Sequence, residues 1–537
     1  MKGLLKKILS VGLALMLSAG LTAGFTACTE TEEKGLNAFM EGDLNIMDFG
    51  AKGDGVTNDL KALENGLKAA KEQGARLYFP AGTYRLSDNC VVPDTVTLVL
   101  GKGAKLSVDA ECILNINSTV HADERQQIVT GEGVLRLGGY LTANPFWFGA
   151  KGDGVTDDTE AFKKAWKACA QIDLPYTENG YLLSEIETFS NMALVGIPEG
   201  DKKPVLKAAS DCEILFHTRT GQGNYKISNV QVDMSAAPDG STVFHYNTAS
   251  GWIQDIYVDN CVFTDAYHVF TDSRVGKDNN SLMYVHLEDI LCKDSRNSTF
   301  KILDFEGFIF MKRFTIDNSN SFTKHKLTDG FTAVWIDEVR GDILEEMTII
   351  GGNSGYANEI GFSYKNIASV WWDRVTVKNC GGPAIRLQNY NILVSLIDVT
   401  VENCGGGVHT AGSGWMQLER VHVTGRAGQE GAKENTHGIV IDSGNMVQLH
   451  DVSSCNNTGS GIYVRSSKRI SINKAELCNN GGYGYQDSAS AQTILANATV
   501  TGNKAGQIKN ATALSVIENV ILEQGGQPQS FTGAGNR

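Results

Sequence analysis

The chain reads Asn45-Ile-Met-Asp-Phe-Gly-Ala-Lys-Gly-Asp-Gly-Val-Thr-Asn-Asp-Leu60 near its start and Asn144-Pro-Phe-Trp-Phe-Gly-Ala-Lys-Gly-Asp-Gly-Val-Thr-Asp-Asp-Thr159 further on. Both copies contain the run Phe-Gly-Ala-Lys-Gly-Asp-Gly-Val-Thr. The glycines allow backbone angles that a β-carbon would forbid. They are Gly50, Gly53 and Gly55 in the first copy and Gly149, Gly152 and Gly154 in the second. Each copy is therefore predicted to form a tight turn.

An amphipathic helix is predicted after each turn. Thr57 or Asn58 can cap the first helix, and Thr156 or Asp157 can cap the second. Apolar residues then recur at helical spacing, at Leu60, Leu63, Leu67 and Ala70 and again at Phe162, Trp166 and Cys169. A strand, turn and strand follow at 77–86, with a weaker version at 174–183. Each helix is expected to bury the one stripe of its surface that these apolar residues form.

These features resemble the opening of the pectate-lyase-like family, in particular its rhamnogalacturonase/epimerase-like domains. Members are right-handed parallel β-helices, typically polysaccharide lyases, hydrolases, epimerases and phage tailspikes. In the family, the helix covers the open end of the solenoid and so protects its core and strand edges. The resemblance covers residues 45–86 and 128–183. It implies an all-β, single-stranded right-handed parallel β-helix with short N-terminal capping helices, and it does not name a reaction.

The first residues read as an export signal. Three lysines precede an apolar run at 8–21, and Phe25-Thr-Ala-Cys28 resembles a bacterial lipobox. The apolar run is short for a membrane span of about 20 residues. We expect residues 1–28 to be a lipoprotein signal, Cys28 to carry lipid, and the protein to lie at the bacterial cell surface or in the periplasm. Ordinary signal cleavage would instead make it a secreted protein.

The charge balance limits the partners. A net charge of −14 argues against a nucleic-acid partner, which would need a basic surface. It also argues mildly against a strongly anionic polymer as substrate, unless the groove is locally basic or holds a cation. We expect no cofactor, with Ca²⁺ entering only if the protein is a lyase, and no other metal is assigned.

Short strands of the pattern apolar-x-apolar recur from about residue 225 to 525, which is typical of a solenoid. A polar residue precedes each strand, and twelve such positions indicate about twelve coils. They are Asn229, Asp255, Asp289, Arg313, Glu346, Arg374, Asp398, Arg420, Asp451, Lys474, Asn497 and Asn519. Their signs alternate from Asp289 to Lys474, so we predict a stacked ladder of ion pairs that fixes the coil register. The predicted boundaries are a linker at 29–44, an N-terminal segment at 45–143, the main β-helix at 144–524 and a flexible tail at 525–537.

Other repeated residues are assigned to the scaffold. Asparagines recur in the turn after these strands, at Asn260, Asn318, Asn379, Asn403, Asn456, Asn479 and Asn503, where stacked amides satisfy one another and tolerate left-handed backbone. Cys380 with Cys404 and Cys455 with Cys478 should be stacked neighbours. Disulfides are feasible at the coil spacing, but we favour unpaired thiols. Longer coils predict inserted loops at about 264–280, 319–332 and 425–437. We expect these loops to form the walls of the functional site.

Candidate site residues are outward positions on the strand after the asparagine turn. The catalytic candidates are Asp304, Asp337, Glu338, Arg386 and His409, and the substrate-binding candidates are His245, His268, Trp335 and His437. A hydrolase needs two carboxylates about 5–9 Å apart, which Asp304 with Asp337 or Glu338 could supply. A lyase or epimerase needs a base beside a uronate carboxylate and a cation to hold that carboxylate, roles that suit His409 and Arg386.

Family motifs do not decide between these chemistries. Thr436-His-Gly-Ile439 matches one element of the polygalacturonase pattern, but its Asp-Asp pair is missing from the preceding coils, and the alginate epimerase pattern Asp-Pro-His-Glu is absent. The sequence favours a protein that binds and hydrolyses a complex polysaccharide, such as a pectic one. A uronate lyase or epimerase and a non-catalytic glycan-binding adhesin are the alternatives. The resemblance to tailspikes leaves a homotrimer open.

Overall fold

The strands of this chain stack coil upon coil into one long solenoid. A computed structural model describes residues 38–139, 141–219, 221–247, 253–273, 282–303, 305–353, 355–426, 436–509, 516–524 and 527–533. Strands make up 54% of the structure and helices 8%, and the solenoid has about 18 turns. The predicted all-β, right-handed parallel β-helix is confirmed. The predicted count of about twelve coils is too low, because strands before residue 225 also belong to the solenoid.

The N-terminal coils form a unit with its own core. Its three small parallel sheets comprise Leu44–Asn45, Leu77–Phe79, Leu98–Leu100 and Val120–His121, then Asp54–Asn58, Gly82–Leu86, Ala104–Val108 and Val129–Thr130, then Cys90–Val92, Ile113–Ile116 and Val134–Leu137. Alternate residues of these strands point inward and build a core that includes Leu77, Leu98 and Leu106. This core is separate from that of the following coils.

The remaining coils form a continuous sheet of 34 strands wound around three faces. The first face comprises Ile186–Glu187, Ile214–Thr218, Thr242–Asn247, His268–Ser273, Phe300–Ile302, Thr332–Asp337, Ile360–Ile367, Gly406–Ala411, Ile439–Asp442, Ile462–Arg465, Tyr483–Ser488 and Gly506–Lys509. The second face comprises Gln171–Pro175, Ala193–Ile197, Gly223–Ser228, Ile253–Asp259, Val339–Glu345, Val370–Asp373 and Ala491–Ala496, and the third comprises Tyr181–Leu183, Val205–Ala208, Gln231–Asp233, Val262–Thr264, Thr348–Ile350, Thr376–Lys378 and Thr499–Thr501. Long strands turn a corner between faces: Leu282–Lys293, Phe305–Asp317, Pro383–Glu402, Ser413–Thr424, Asn445–Cys455, Lys468–Cys478 and Val516–Gln524.

The two copies of the repeated phrase adopt the same turn. In each, a buried aspartate accepts hydrogen bonds from two backbone N–H groups of the glycine loop, at 2.7 and 3.0 Å for Asp59 and at 2.6 and 3.0 Å for Asp158. The predicted helices follow as α1 (Leu60–Gln73) and α2 (Thr159–Ala168), each after a short 3₁₀ helix at Ile46–Phe49 or Pro145–Phe148. The aspartates hold the N-cap positions, while the predicted Asn58 and Asp157 accept from the first helical N–H.

Helix α2 closes the main solenoid. Its apolar stripe, with Phe162 and Trp166, packs into the main core, while Ala168 at its end joins the N-terminal core. The helix covers strand edges that would otherwise be open to pairing. It also contacts both cores, and so it links them. Within the described residues, no helix is long and apolar enough to cross a membrane. The predicted signal segment and Cys28 lie outside the described residues.

The predicted ion-pair ladder is confirmed for the coils where the charges alternate. Each cation pairs with the acid one coil earlier: Arg313 with Asp289 at 2.5 Å, Arg374 with Glu346 at 3.2 Å, Arg420 with Asp398 at 2.5 Å and Lys474 with Asp451 at 2.6 Å. All twelve ladder positions have positive φ, which asparagine and aspartate tolerate best. Asp255 was assigned to this column wrongly. It stands opposite Tyr284 at another corner, and Asn260 takes the ladder position.

The cysteine pairs behave differently from each other. Cys455 and Cys478 form a disulfide, so the preference for stacked thiols was wrong there. Cys380 and Cys404 are buried free thiols on adjacent coils, as predicted. The asparagine turns are confirmed as left-handed at Asn379, Asn403, Asn456 and Asn479, but Asn318 and Asn503 do not have positive φ.

The inserted segments only partly match the prediction. The range 264–280 contains the strand His268–Ser273, so its first half is not a loop, and 274–280 lies outside the described residues. The range 319–332 contains helix α3 (Ser321–His325). Most of 425–437 is outside the described residues. Residues 527–533, predicted to be a flexible tail, form a strand antiparallel to Val516–Gln524.

A buried carboxyl group predicts how stability depends on pH. Asp342 occupies a core position on the second face, and burial raises its pKa to about 7. Trp372 Nε1 donates to its Oδ2 at 3.4 Å, whereas Oδ1 has no hydrogen-bond partner among the described residues. Because the folded-state pKa lies above the unfolded value, the stabilising effect of the protonated group is complete below pH about 4 and is lost as pH rises to about 7.

We therefore expect Asp342→Asn to stabilise the protein at pH 8 but not at pH 4. At about 1.4 kcal/mol for each pKa unit, the gain at pH 8 is a few kcal/mol. Urea unfolding followed by circular dichroism at both pH values measures it, with the exposed Asp211→Asn as control. An equal change in the midpoint at both pH values would contradict the assignment of the effect to ionisation.

Candidate functional site

Four of the predicted site residues share one straight column on the first face. Strand register stacks the outward residues in the order His217, His245, Thr271, Lys301, Trp335, Ser363, Arg386, His409, Val440, Tyr463 and Gln486. Neighbouring members are one coil apart, or about 4.8 Å. The register thus aligns His245, Trp335, Arg386 and His409, and we call the whole column, from His217 to Gln486, the groove column. Alternate residues of the same strands, such as Phe362, Ile385 and Val408, are buried in the core.

Arg386 and His409 are direct neighbours in the groove column. Arg386 is half-buried, and burial lowers its pKa. It makes no ion pair with any described carboxylate, unlike the ladder arginines. A half-buried guanidinium without a counter-ion is a site prepared for an anion, because its five donors match a carboxylate in a bidentate pair.

The tautomer of His409 is fixed by the next coil. Its Nε2 lies 2.9 Å from the backbone carbonyl oxygen of His437, so Nε2 carries a proton and donates. Nδ1 makes no hydrogen bond to the described residues and is left with its lone pair. Burial lowers the pKa of His409 to about 4, and Arg386 adds to this effect. The ring is therefore neutral near pH 7 and can accept a proton at Nδ1.

His437 supports His409 and adjoins an aromatic ring. Its Nδ1 accepts a hydrogen bond from the backbone N–H of Ser460 at 2.8 Å, and its ring lies 4.7 Å from that of Tyr463. Burial lowers its pKa as well. The predicted binding residue His437 is thus adjacent to the base candidate, in the next coil and just before the strand Ile439–Asp442.

Trp335 forms a second group, two coils before Arg386. Lys365 lies with its Nζ 5.4 Å from the centre of the indole ring, which is a cation–π contact. The same Nζ lies 3.7 Å from Oδ2 of Asp337, whose Oδ1 is buried without a hydrogen-bond partner among the described residues. Asp337 therefore faces the groove, as predicted, but it is already paired with a lysine.

A histidine pair lies at the N-terminal end of the groove column. His217 Nδ1 lies 2.7 Å from Glu185, and the rings of His217 and His245 are 5.5 Å apart. His245 Nδ1 bonds to Thr271 Oγ1 at 3.0 Å, and burial lowers the His245 pKa.

The outward placement of His268 was wrong. It begins its strand with its side chain buried, and Nδ1 lies 2.6 Å from the carbonyl oxygen of Ser298. Burial lowers its pKa to about 4. Thr271, three residues later, takes the groove position in that coil.

The carboxylate pair proposed for hydrolysis is not assembled within the described residues. Asp304 lies outside them. Glu338 is exposed at the corner after Asp337, with φ of 61°. Sequence reasoning missed Lys301 and Lys365, although the alternation in Phe300-Lys301-Ile302 places the lysine outward.

The surface along the groove column is locally basic although the chain carries a net charge of −14. Between Lys301 and Arg465, the two outward columns of the first face carry the cations Lys301, Lys365, Arg386 and Arg465. The carboxylates in the same two columns are Asp337 and Asp442, which pair with Lys365 and Arg465 respectively. Lys301 and Arg386 remain without an acidic partner among the described residues. An anionic ligand would therefore meet two uncompensated cations here.

Comparison with known proteins gives a match at the N-terminal end. Residues 44–126 match the family model described as rhamnogalacturonase A/epimerase, pectate lyase-like. A mannuronan C5-epimerase of Azotobacter vinelandii is 38% identical over 68 residues, which are 11% of this chain and 7% of that protein. A glucan 1,3-beta-glucosidase of Cochliobolus carbonum is 35% identical over 120 residues, or 20% of this chain and 12% of that protein. The chain thus matches only a small part of these relatives.

A structural neighbour spans most of the solenoid. The A-module of a mannuronan C-5 epimerase of Azotobacter vinelandii aligns with 89% of this chain and 100% of its own, at 12% identity and a TM-score of 0.29. A score this low carries no argument about the site. Residues 44–126 thus match a pectate-lyase-like family model, and the parallel β-helix of this chain continues beyond the matched segment.

Proposed function

We propose that this protein acts on a uronate-containing polysaccharide and removes the proton beside the uronate carboxylate, as a lyase or epimerase does. The adjacency of Arg386 and His409 carries the proposal. Among the described residues, Arg386 has no ion-pair partner, and Nδ1 of the neutral His409 has no hydrogen-bond partner. The locally basic groove supports an anionic substrate, and the relatives that act on mannuronan support a uronate.

In this proposal the two residues have separate roles. Arg386 binds the carboxylate in a bidentate pair. His409 Nδ1 takes the proton from the adjacent carbon, and Arg386 stabilises the charge that then develops on the carboxylate. Expulsion of the neighbouring glycosidic oxygen, which takes up a proton from water and leaves as a hydroxyl group, would yield an unsaturated uronate. Return of a proton to the opposite face would instead invert the carbon without cleavage.

Two assays distinguish these outcomes. The protein is incubated with alginate, pectate and neutral polysaccharides, while ultraviolet absorbance follows unsaturated uronate and proton NMR follows the composition of the polymer. Absorbance with new reducing ends means elimination, and a change of composition in deuterated water without new ends means epimerisation. Activity on neutral polymers alone would reject the proposal. Binding without turnover across the panel would favour a non-catalytic glycan-binding protein.

Hydrolysis is the second candidate, and Asp337 is the observation that favours it. Its Oδ1 is buried without a hydrogen-bond partner among the described residues, and Asp337 lies two positions after Trp335 on the same strand. A hydrolase would release reducing ends without ultraviolet absorbance, and Asp337→Asn would abolish that release.

The proposal needs no metal ion to hold the carboxylate. Ca²⁺ prefers six to eight oxygen ligands. Among the described residues, the one cluster of three potential metal ligands is Cys455, Glu476 and Cys478, whose two sulfurs form the disulfide. That cluster offers only one carboxylate, and we propose that Arg386, rather than Ca²⁺, holds the substrate carboxylate.

We accordingly expect EDTA to leave the rate on a uronate polymer unchanged. The measurement compares initial rates after dialysis against chelator and after return of excess Ca²⁺. A rate lost on chelation and restored by Ca²⁺ would contradict the role given to Arg386. Circular dichroism before and after the dialysis controls for loss of folding.

The same proposal places the protein outside the cytoplasm. Polysaccharides of this class are extracytoplasmic, and the predicted signal at 1–28 with lipid on Cys28 would anchor the protein to a membrane surface. Labelling with a radioactive fatty acid, compared between the parent and Cys28→Ala, tests the anchor.

A further inference from the structure

A second column of outward residues runs along the corner where the second face begins. Strand register stacks these residues in the order Asp255, Tyr284, Phe308, Gly341, Ser369, Leu393, Trp415, Met446 and Arg469. We call this set the corner column. Nine positions at about 4.8 Å per coil span about 38 Å. It lies on a different face from Arg386 and His409.

The corner column is apolar between its two charged ends. Five of its side chains are large and exposed: Tyr284 at 37%, Phe308 at 41%, Leu393 at 47%, Trp415 at 58% and Met446 at 39%. The next outward column on this face contains no Asp, Glu, Lys or Arg from Tyr257 to Ser471. The two columns form an uncharged band beside the charged ladder. Monomeric proteins rarely expose a contiguous apolar patch of this length.

The band suits a protein partner better than a sugar. Tyr257, His286 and Phe310 stack on one another with ring centres 4.7 and 4.9 Å apart and nearly parallel planes. Their faces, which a sugar ring would need, are therefore covered, and their edges point outward. Aromatic residues, methionine and arginine are enriched at protein interfaces, and the corner column combines all three.

The order of residues in the corner column points to a second copy of this chain as the partner. When a second copy is placed antiparallel to the first and centred on Ser369, Asp255 lies opposite Arg469, Tyr284 opposite Met446 and Phe308 opposite Trp415. It also sets Leu393 against Gly341, which has no side chain of its own. Neither Asp255 nor Arg469 forms an ion pair with another described residue, although Arg469 Nε donates to Asn445 Oδ1 at 3.0 Å. In a parallel pair, by contrast, Asp255 would face Asp255.

We propose that two copies associate antiparallel along the corner column, with a two-fold axis near Ser369. Such an interface is isologous, because the same surface is used by both copies. It buries the exposed aromatic residues and pairs each Asp255 with Arg469 of the other copy. The two groove columns remain free, so both copies keep access to substrate.

The oligomeric state and its loss give the first test. The chain lacking residues 1–37, which retains both cores, is studied by sedimentation equilibrium over a range of concentrations. We expect the mass of a dimer, and a monomer for Trp415→Glu because a carboxylate cannot be buried in the band unpaired. Val91→Glu, at an exposed apolar residue of the N-terminal unit, is the control and should remain a dimer. A monomer at the highest soluble concentration, or a trimer, would overturn the proposal.

Reversal of charge tests the antiparallel arrangement. Asp255→Lys and Arg469→Asp should each raise the dimer dissociation constant about tenfold, because like charges then meet at both ends. The double variant should restore the parent value. The two residues are eight coils apart in one chain, so restoration requires contact between copies. Circular dichroism confirms that each variant folds, and a dimer indifferent to these changes would reject the antiparallel pairing.

Discussion

Arg386→Gln is expected to lower kcat/KM on a uronate polymer about 100- to 1000-fold, with most of the loss in kcat. The charge on the substrate carboxylate grows as the proton leaves, so the arginine stabilises the transition state more than the bound substrate. Arg386→Lys keeps the charge but loses the two-pronged geometry, and should retain an intermediate rate. Initial rates followed by ultraviolet absorbance or NMR measure the effect.

The fold should survive this change, because Arg386 makes no ion pair with the described residues. Arg465→Gln is the matched control, since Arg465 lies on the same face but is paired with Asp442. It should alter the rate little. Equal losses in the two variants would mean a general electrostatic effect of the face, and no loss in Arg386→Gln would remove Arg386 from the mechanism.

His409→Gln is expected to lower kcat about 100- to 10,000-fold, the usual contribution of a positioned base. The glutamine amide can still donate to the His437 carbonyl, so the change removes the base while it retains this contact. The parent enzyme should also lose activity as pH falls through about 4, because His409 is then protonated and cannot accept a proton. The acid limb of the pH profile of kcat/KM, where activity falls as pH is lowered, measures this loss.

His245→Gln controls for the His409 variant, because His245 belongs to the same column five coils before Arg386 but contacts Thr271. Its acid limb should match the parent profile. A His409→Gln enzyme that kept the limb at pH about 4 would assign it to another group, and the base would then have to be sought elsewhere in the groove.

Local signals in the sequence were sufficient for the architecture. The glycines of the repeated phrase dictate the turns and so predicted both capping helices. The alternating signs from Asp289 to Lys474 predicted the ladder because stacked like charges repel. The outward positions of Arg386 and His409 followed from strand alternation alone.

The errors arose where the pattern does not identify the face. Ile256-Tyr-Val258 has the same apolar-x-apolar form as the strands after the ladder, so Asp255 was assigned to the wrong corner. His268 is a polar residue at the start of a strand whose ring is satisfied internally by Ser298. Spacing also could not distinguish Cys380/Cys404 from Cys455/Cys478, because both pairs stack one coil apart and side-chain orientation decides which pair joins.

The ladder of alternating charges also constrains how the length of this solenoid can change. Deletion of the coil of Arg374 alone would set Glu346 directly beside Asp398. Two like charges would then meet at the join, while the later coils would keep their present ion pairs. Deletion of the coils of Arg374 and Asp398 together would bring Glu346 beside Arg420 and preserve the alternation. This part of the chain can therefore gain or lose coils in pairs more readily than singly, which gives its evolution, and any attempt to engineer it, a unit of two coils.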